Sequence, residues 1–136
     1  FSSLLFLALA VTTANAGWFF GPWQSSFLAA CQSGDSGVVQ RWLENGGDVN
    51  AKNKNGWTAL MKAAEKGHKK IVGQLIDAKA DVNAKNKDGG TALEWAAWKG
   101  HEKVVGRLID AKVHVDAKNK EGRTALMWFG SFHHFT

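Results

Sequence analysis

Five histidines, one cysteine and twelve carboxylates are the side chains of this 136-residue chain able to shuttle a proton, form a thiolate or ligate a metal. Acid–base work needs two such groups converging on one place. His68 and His101 instead each follow a glycine in two near-identical segments, so they occupy equivalent places rather than a shared one. His114 with His133 and His134 has zinc-type nitrogen, but adjacent histidines on a chain end rarely converge on one ion. No cysteine or carboxylate stands at ligand spacing to them. Gly89-Gly90 lacks the GxxxxGK[ST] frame with which a loop cradles phosphate. Cys31, as the single cysteine, leaves no internal disulfide. These residues point to no enzyme, no metal and no cofactor.

What does recur is positive charge. Lys52, Lys85 and Lys118 hold one position in successive segments, and Lys54, Lys87 and Lys120 follow two residues later. The chain carries a net +5, all of it after the uncharged first thirty-four residues. Like charges stacked in rows favour an acidic partner. Asp88 and Glu121 break the rows, and no nucleic-acid-binding motif is present, which argues against nucleic acid.

The elements that position these rows are written twice. VNAKNKNGWTALMKAAEKGH (49–68) returns as VNAKNKDGGTALEWAAWKGH (82–101), and residues 53–85 match 86–118 at 22 of 33 positions without a gap. A fixed period of this size means stacked units. In Asn53-Lys54-Asn55-Gly56 the Asx residue and the glycine suit a type I turn. Thr58, Thr91 and Thr124 each precede an apolar run and predict helix N-caps, with Glu94 completing a capping box at Thr91. Ile71, Val72, Leu75 and Ile76 form an apolar helical stripe that returns at Val104, Val105, Leu108 and Ile109. A unit this thin cannot bury its own stripe, so it stacks on its neighbours.

The run Gly56, Thr58-Ala59-Leu60, Ala63-Ala64, Gly67-His68, Val72, Leu75-Ile76, Ala80-Asp81-Val82-Asn83-Ala84 resembles the ankyrin-repeat pattern. The resemblance covers about residues 23–128. It implies an all-α repeat fold, an ankyrin-type solenoid of stacked helix-turn-helix units with β-hairpin turns. The repeats fall at about 23–52, 53–85 and 86–118, with a partial one at 119–136, so the repeat domain is 23–136. Ala59, Ala92 and Ala125 stand where the family has proline, and Met61, Glu94 and Met127 where it has histidine. Lys79 and Lys112 replace a left-handed glycine that Gly46 retains. In the last unit, bulky rings at Phe129, Phe132 and Phe135 stand where a second helix is due, and the array reads as cut short.

The resemblance also implies a use. Turn tips and inner helices of such arrays line a concave groove that takes a protein partner. On this chain that assigns Lys52, Lys54, Lys66, Lys85, Lys87 and Lys99 to the groove, with Lys118, Lys120 and Arg123 in the last turn. Trp57 and Trp98 fall at groove-facing positions where the two full repeats differ, as anchors for a partner. Trp95 and Trp42 are expected in the core, His68 and His101 at hydrogen-bonded helix starts, and Cys31 in the packed Ala-Ala position. The expected function is a monomeric protein–protein interaction module for an acidic partner. The alternative is the N-terminal ankyrin region of a longer protein whose missing C-terminal part carries another activity.

Residues 1–16 read as a secretory leader without its basic start, and 17–22 as a linker. Leu4–Val11 supplies the apolar run and Ala14-Asn15-Ala16 the cleavage box, and the run is too short to span a bilayer. The chain is thus expected to be exported, to a periplasm or as a secreted protein, with no membrane span after cleavage. N-terminal sequencing of the exported protein should begin at Gly17; retention of Leu4–Ala16 would overturn that reading.

Overall fold

A computed structural model describes residues 16–115 and 117–125; residues 1–15 of the leader, His133, His134 and the terminal phenylalanines lie outside them. Among the described residues are six helices in three antiparallel pairs: α1 (Ala16–Ser33) with α2 (Ser36–Glu44), α3 (Ala59–Lys66) with α4 (Lys69–Asp77), and α5 (Ala92–Trp98) with α6 (Glu102–Asp110). The inner helices α1, α3 and α5 pack in one layer and the outer helices α2, α4 and α6 in a second. The ankyrin-like, all-α arrangement matches the sequence expectation. The hairpins are slighter than expected: single antiparallel bridges, Lys52 to Thr58 and Lys118 to Thr124, stand in place of strands. Helix α1 also runs through 17–22, the segment read as a linker, and continues past Pro22. No helix of the described residues is long and apolar enough to cross a membrane.

Helices of seven to nine residues, such as α2 to α6, are marginal alone and depend on what they pack against. Small residues let the inner layer close up: Ala30 and Cys31, Ala63 and Ala64, and Ala96 and Ala97 are all buried. Burial pushes the Cys31 thiol up to about 12, so it stays a small apolar filler near neutral pH. Val39, Val72 and Val105 form the matching outer column. The first repeat solves the same packing with larger pieces. Phe27 and Trp42 take the places of Leu60 and Leu75 and stack at 5.0 Å between ring centroids. A Cβ on Gly47 would lie 2.3 Å from the Trp42 ring, so the glycine makes room for the indole, whose Nε1 donates to the Asp48 carbonyl at 3.1 Å.

Three hydrogen-bond ladders join one repeat to the next. At the turn tips, the Lys87 N–H donates to the Asn55 carbonyl and the Lys120 N–H to the Asp88 carbonyl, both at 3.1 Å. On the return loops, the Asn50 and Asn83 side chains accept from the Asp81 and His114 N–H groups at 2.7 and 2.6 Å. Between helix ends, the His68 and His101 rings lie 2.9 Å from the Gln32 and Glu65 carbonyls. A carbonyl can only accept, so Nε2 carries the proton in both rings. These histidines sit at the N-caps of α4 and α6, as the sequence predicts, but their rings bond to the preceding repeat rather than to their own helix.

Each outer helix closes with a residue in the left-handed region: Gly46 at φ 78°, Lys79 at 69° and Lys112 at 64°. At α4, the Lys79 N–H bonds to the Ile76 carbonyl and the Ala80 N–H to the Leu75 carbonyl, a Schellman closure. Lys79 is exposed and its backbone conformation costs a side-chain-bearing residue roughly 1 kcal/mol. Lys79→Gly should therefore raise the thermal midpoint by a net stabilisation of up to about 1 kcal/mol, the added freedom of the unfolded chain offsetting part of it. A lowered midpoint would mean that the lysine stem contributes packing.

Candidate partner-binding face

The turn edge is built from asparagine and glycine. Asn53 Oδ1 accepts from the Asn55 and Trp57 N–H groups at 2.9 and 3.0 Å, and Asn86 and Asn119 repeat the arrangement. Gly56 closes the first of these turns at φ 80°, where a Cβ would meet the backbone of Asn86 and Lys87 at 3.1 Å. The glycine is thus required twice, for its φ and for the approach of the next turn.

This edge presents the lysine rows. Lys52, Lys54, Lys85, Lys87, Lys118 and Lys120 are all exposed, as are Lys66 and Lys99 at the ends of the inner helices. Some are engaged. Lys85 Nζ donates to the Lys118 carbonyl at 3.2 Å, and Lys99 Nζ lies 4.4 Å from the Trp98 ring centroid. Arg123 pairs with Glu121 at 3.7 Å, a half-exposed contact of small energetic weight.

The sequence expectation set Trp57 and Trp98 in the groove and Trp95 in the core. All three are half-buried and form one cluster. Trp57 ends the Asn53–Gly56 turn, and Trp95 and Trp98, three residues apart, share a face of α5. The Trp57–Trp95 centroids are 4.6 Å apart and the Trp95–Trp98 centroids 5.3 Å. Trp57 and Trp95 both pack against the core. Trp95 stands one repeat after Lys62 in the same column. Lys62 Nζ lies 4.8 Å from the Trp57 centroid. Cation–π contacts of this kind contribute about 0.5–1 kcal/mol at exposed sites.

Beside the cluster is a cavity of about 370 Å³ between the Asn86 and Asn119 turns, walled by Gly90, Glu94, Trp95 and Trp98 on one side and by Asn119, Lys120 and Arg123 on the other. Glu94 is buried, and its Oε2 accepts from Asn119 Nδ2 at 2.7 Å, across the repeat boundary. Its backbone N–H reaches Thr91 Oγ1 at 3.2 Å, the capping bond that the sequence predicts. The Trp95 indole Nε1 is buried and without a hydrogen-bond partner, as is Asn86 Nδ2. Sequence reasoning missed this cavity. Its signal was available in the alignment of the repeats, where Trp57 becomes Gly90 and Met61 becomes Glu94. No cluster of three or more His, Cys, Asp or Glu able to hold a metal occurs among the described residues.

Comparison with known proteins agrees with the architecture. A family profile for ankyrin repeats in three copies matches residues 27–119. Over 37 residues, 27% of this chain, the sequence is 57% identical to protein phosphatase 1 regulatory subunit 12A of Gallus gallus. Over the same length it is 51% identical to the 12B subunits of Mus musculus and Homo sapiens. The chain spans only 4% of the length of each of these curated relatives.

Because Trp57 and Trp95 pack on the core, while Trp98 packs on Trp95 with Lys99 over its ring, alanine substitutions should separate them. Trp57→Ala and Trp95→Ala should each cost about 2 kcal/mol, below the 3–5 kcal/mol of a fully buried tryptophan, and Trp98→Ala less than 1 kcal/mol. Urea midpoints of the three variants check the order; a Trp98→Ala as damaging as the other two would place that ring in the core.

Proposed function

The chain belongs to the ankyrin-repeat family, and from that premise we propose that it is a protein-interaction module whose turn edge and inner helices receive an acidic protein surface. The observation that supports this reading is the exposed lysine edge: two rows of three lysines set one repeat apart and held in register by backbone hydrogen bonds between turns. Rigid registration keeps the charges in place before a partner arrives, so little ordering is lost on docking. The half-buried tryptophans next to the rows supply apolar area of the kind that anchors interfaces. The module itself carries no chemistry in this reading.

Two further parts of the reading concern context. The first is export, to a periplasm or out of the cell, which rests on the apolar leader and its Ala-Asn-Ala box. The second is the alternative that this is the ankyrin region of a longer protein with another activity. The observation that favours it is the length of the relatives, regulatory subunits of which this chain spans 4%.

Affinity capture with the wild-type chain and with a Lys54→Glu/Lys87→Glu/Lys120→Glu variant tests the acidic reading. The variant should fold, since all three side chains are exposed, and should lose the captured partner. For an identified partner, association should slow by roughly tenfold or more and lose most of its salt dependence, with a smaller change in dissociation. Unchanged capture by the variant would remove the lysine edge from the interface.

A further inference from the structure

Along the turn edge runs a line of residues joined alternately by a peptide bond and a hydrogen bond. Lys54 is followed by Asn55, whose carbonyl accepts from the Lys87 N–H at 3.1 Å. Lys87 is followed by Asp88, whose carbonyl accepts from the Lys120 N–H at 3.1 Å, and Glu121 ends the line. All six side chains are exposed, so the charges along the edge run plus, neutral, plus, minus, plus, minus. Among the described residues, Lys54, Lys87 and Lys120 make no side-chain hydrogen bond, ion pair or ring contact. The parallel row is partly taken up in joining repeats, since Lys85 Nζ donates to the Lys118 carbonyl at 3.2 Å.

This order disfavours a run of adjacent acids. An acid opposite Lys87 is attracted, but the next would face Asp88, and like charges so placed repel. The bonding also sets an interval. One hydrogen bond between Asn55 and Lys87 keeps their Cα atoms within about 7 Å, and the Lys54 and Lys87 Cα atoms within about 11 Å. Inner helices packed side by side, roughly 8–10 Å between axes, bound the interval from below. Three residues of polyproline-type chain advance about 9 Å and come back to the same side. A β-strand returns to one face after about 7 Å, which falls short. An α-helix needs about seven residues per interval, more than twice the chain for the same contacts.

We propose that Lys54, Lys87 and Lys120 receive an extended, polyproline-type segment of the partner, with a carboxylate at every third residue and uncharged residues between. The inference rests on the reading above that this edge receives an acidic protein, and it names the form of the acid. Such a segment has no internal hydrogen bonds to break and little freedom to lose on docking.

Synthetic peptides test the spacing without knowledge of the partner. Three of them share one composition of glutamate, proline and alanine, with three glutamates at every third residue, at every second residue, or adjacent. In a 15N-labelled sample, the backbone amides of Asn55, Asp88 and Glu121 report occupancy. At low salt, the every-third peptide should saturate at about one-fifth of the concentration that the adjacent peptide requires, the ratio expected when two exposed ion pairs are lost. An alanine-rich helical peptide with glutamate at every seventh residue should bind no better than the adjacent one. Lys87→Gln keeps the backbone bond to Asn55 and should reduce the preference to less than twofold, whereas Lys85→Gln should leave it unchanged. Equal midpoints for the three peptides, tighter binding of the every-second or helical peptide, a full preference after Lys87→Gln, or no saturable shift overturns the proposal. The underlying reading fails separately. If the three peptides bind alike and the Lys54→Glu/Lys87→Glu/Lys120→Glu variant binds none, the edge still takes acids and only the spacing is wrong.

Discussion

The contact on which the array depends is the approach of one turn to the next. A backbone hydrogen bond at 3.1 Å joins Lys87 to Asn55 and another joins Lys120 to Asp88, and there is no room at Gly56 or Gly89 for a side chain between them. That spacing fixes the separation of the inner helices, which alanines then make tolerable by presenting no bulk. The lysine rows follow from the same contact. Their side chains are one repeat apart because the backbones beneath them are bonded, and the electrostatic cost of stacking like charges is met by the turn backbone and the apolar layers beneath.

Much of this was legible from the letters. The period gave the stacking, the Asx and glycine positions gave the turns, and the replacement of Gly46 by Lys79 and Lys112 marked two left-handed residues that the backbone indeed holds at positive φ. The histidines were placed at helix starts, but what their rings bond lies in the repeat before, thirty-six residues away, and no local pattern carries that information. The tryptophans were legible in part: Trp95 does pack against the core, and what its repeat position could not show is that the ring also joins Trp57 and Trp98 in one cluster. Thr91 reads as a cap from its spacing to Glu94, and its hydroxyl does accept from the Glu94 N–H; the burial of the Glu94 side chain against Asn119 depends on the neighbouring unit.

The two aromatic groups show different ways of departing from a regular repeat. In the first unit, Phe27 and Trp42 enlarge two positions while Gly47 shrinks a third, so the enlarged pieces still close on one another. In the third repeat Trp57 and Met61 give way to Gly90 and Glu94, and among the described residues a cavity of about 370 Å³ lies beside Trp95 and Trp98.

Lys79 and Lys112 occupy the same strained closure in the two repeats that share 22 of 33 residues, while the more divergent first repeat keeps glycine there. Lengthening such an array by further copies of this unit would add one left-handed lysine for every interface gained. A longer array of this unit would thus accumulate strain in proportion to its length, and glycine at that single position in each copy would remove it.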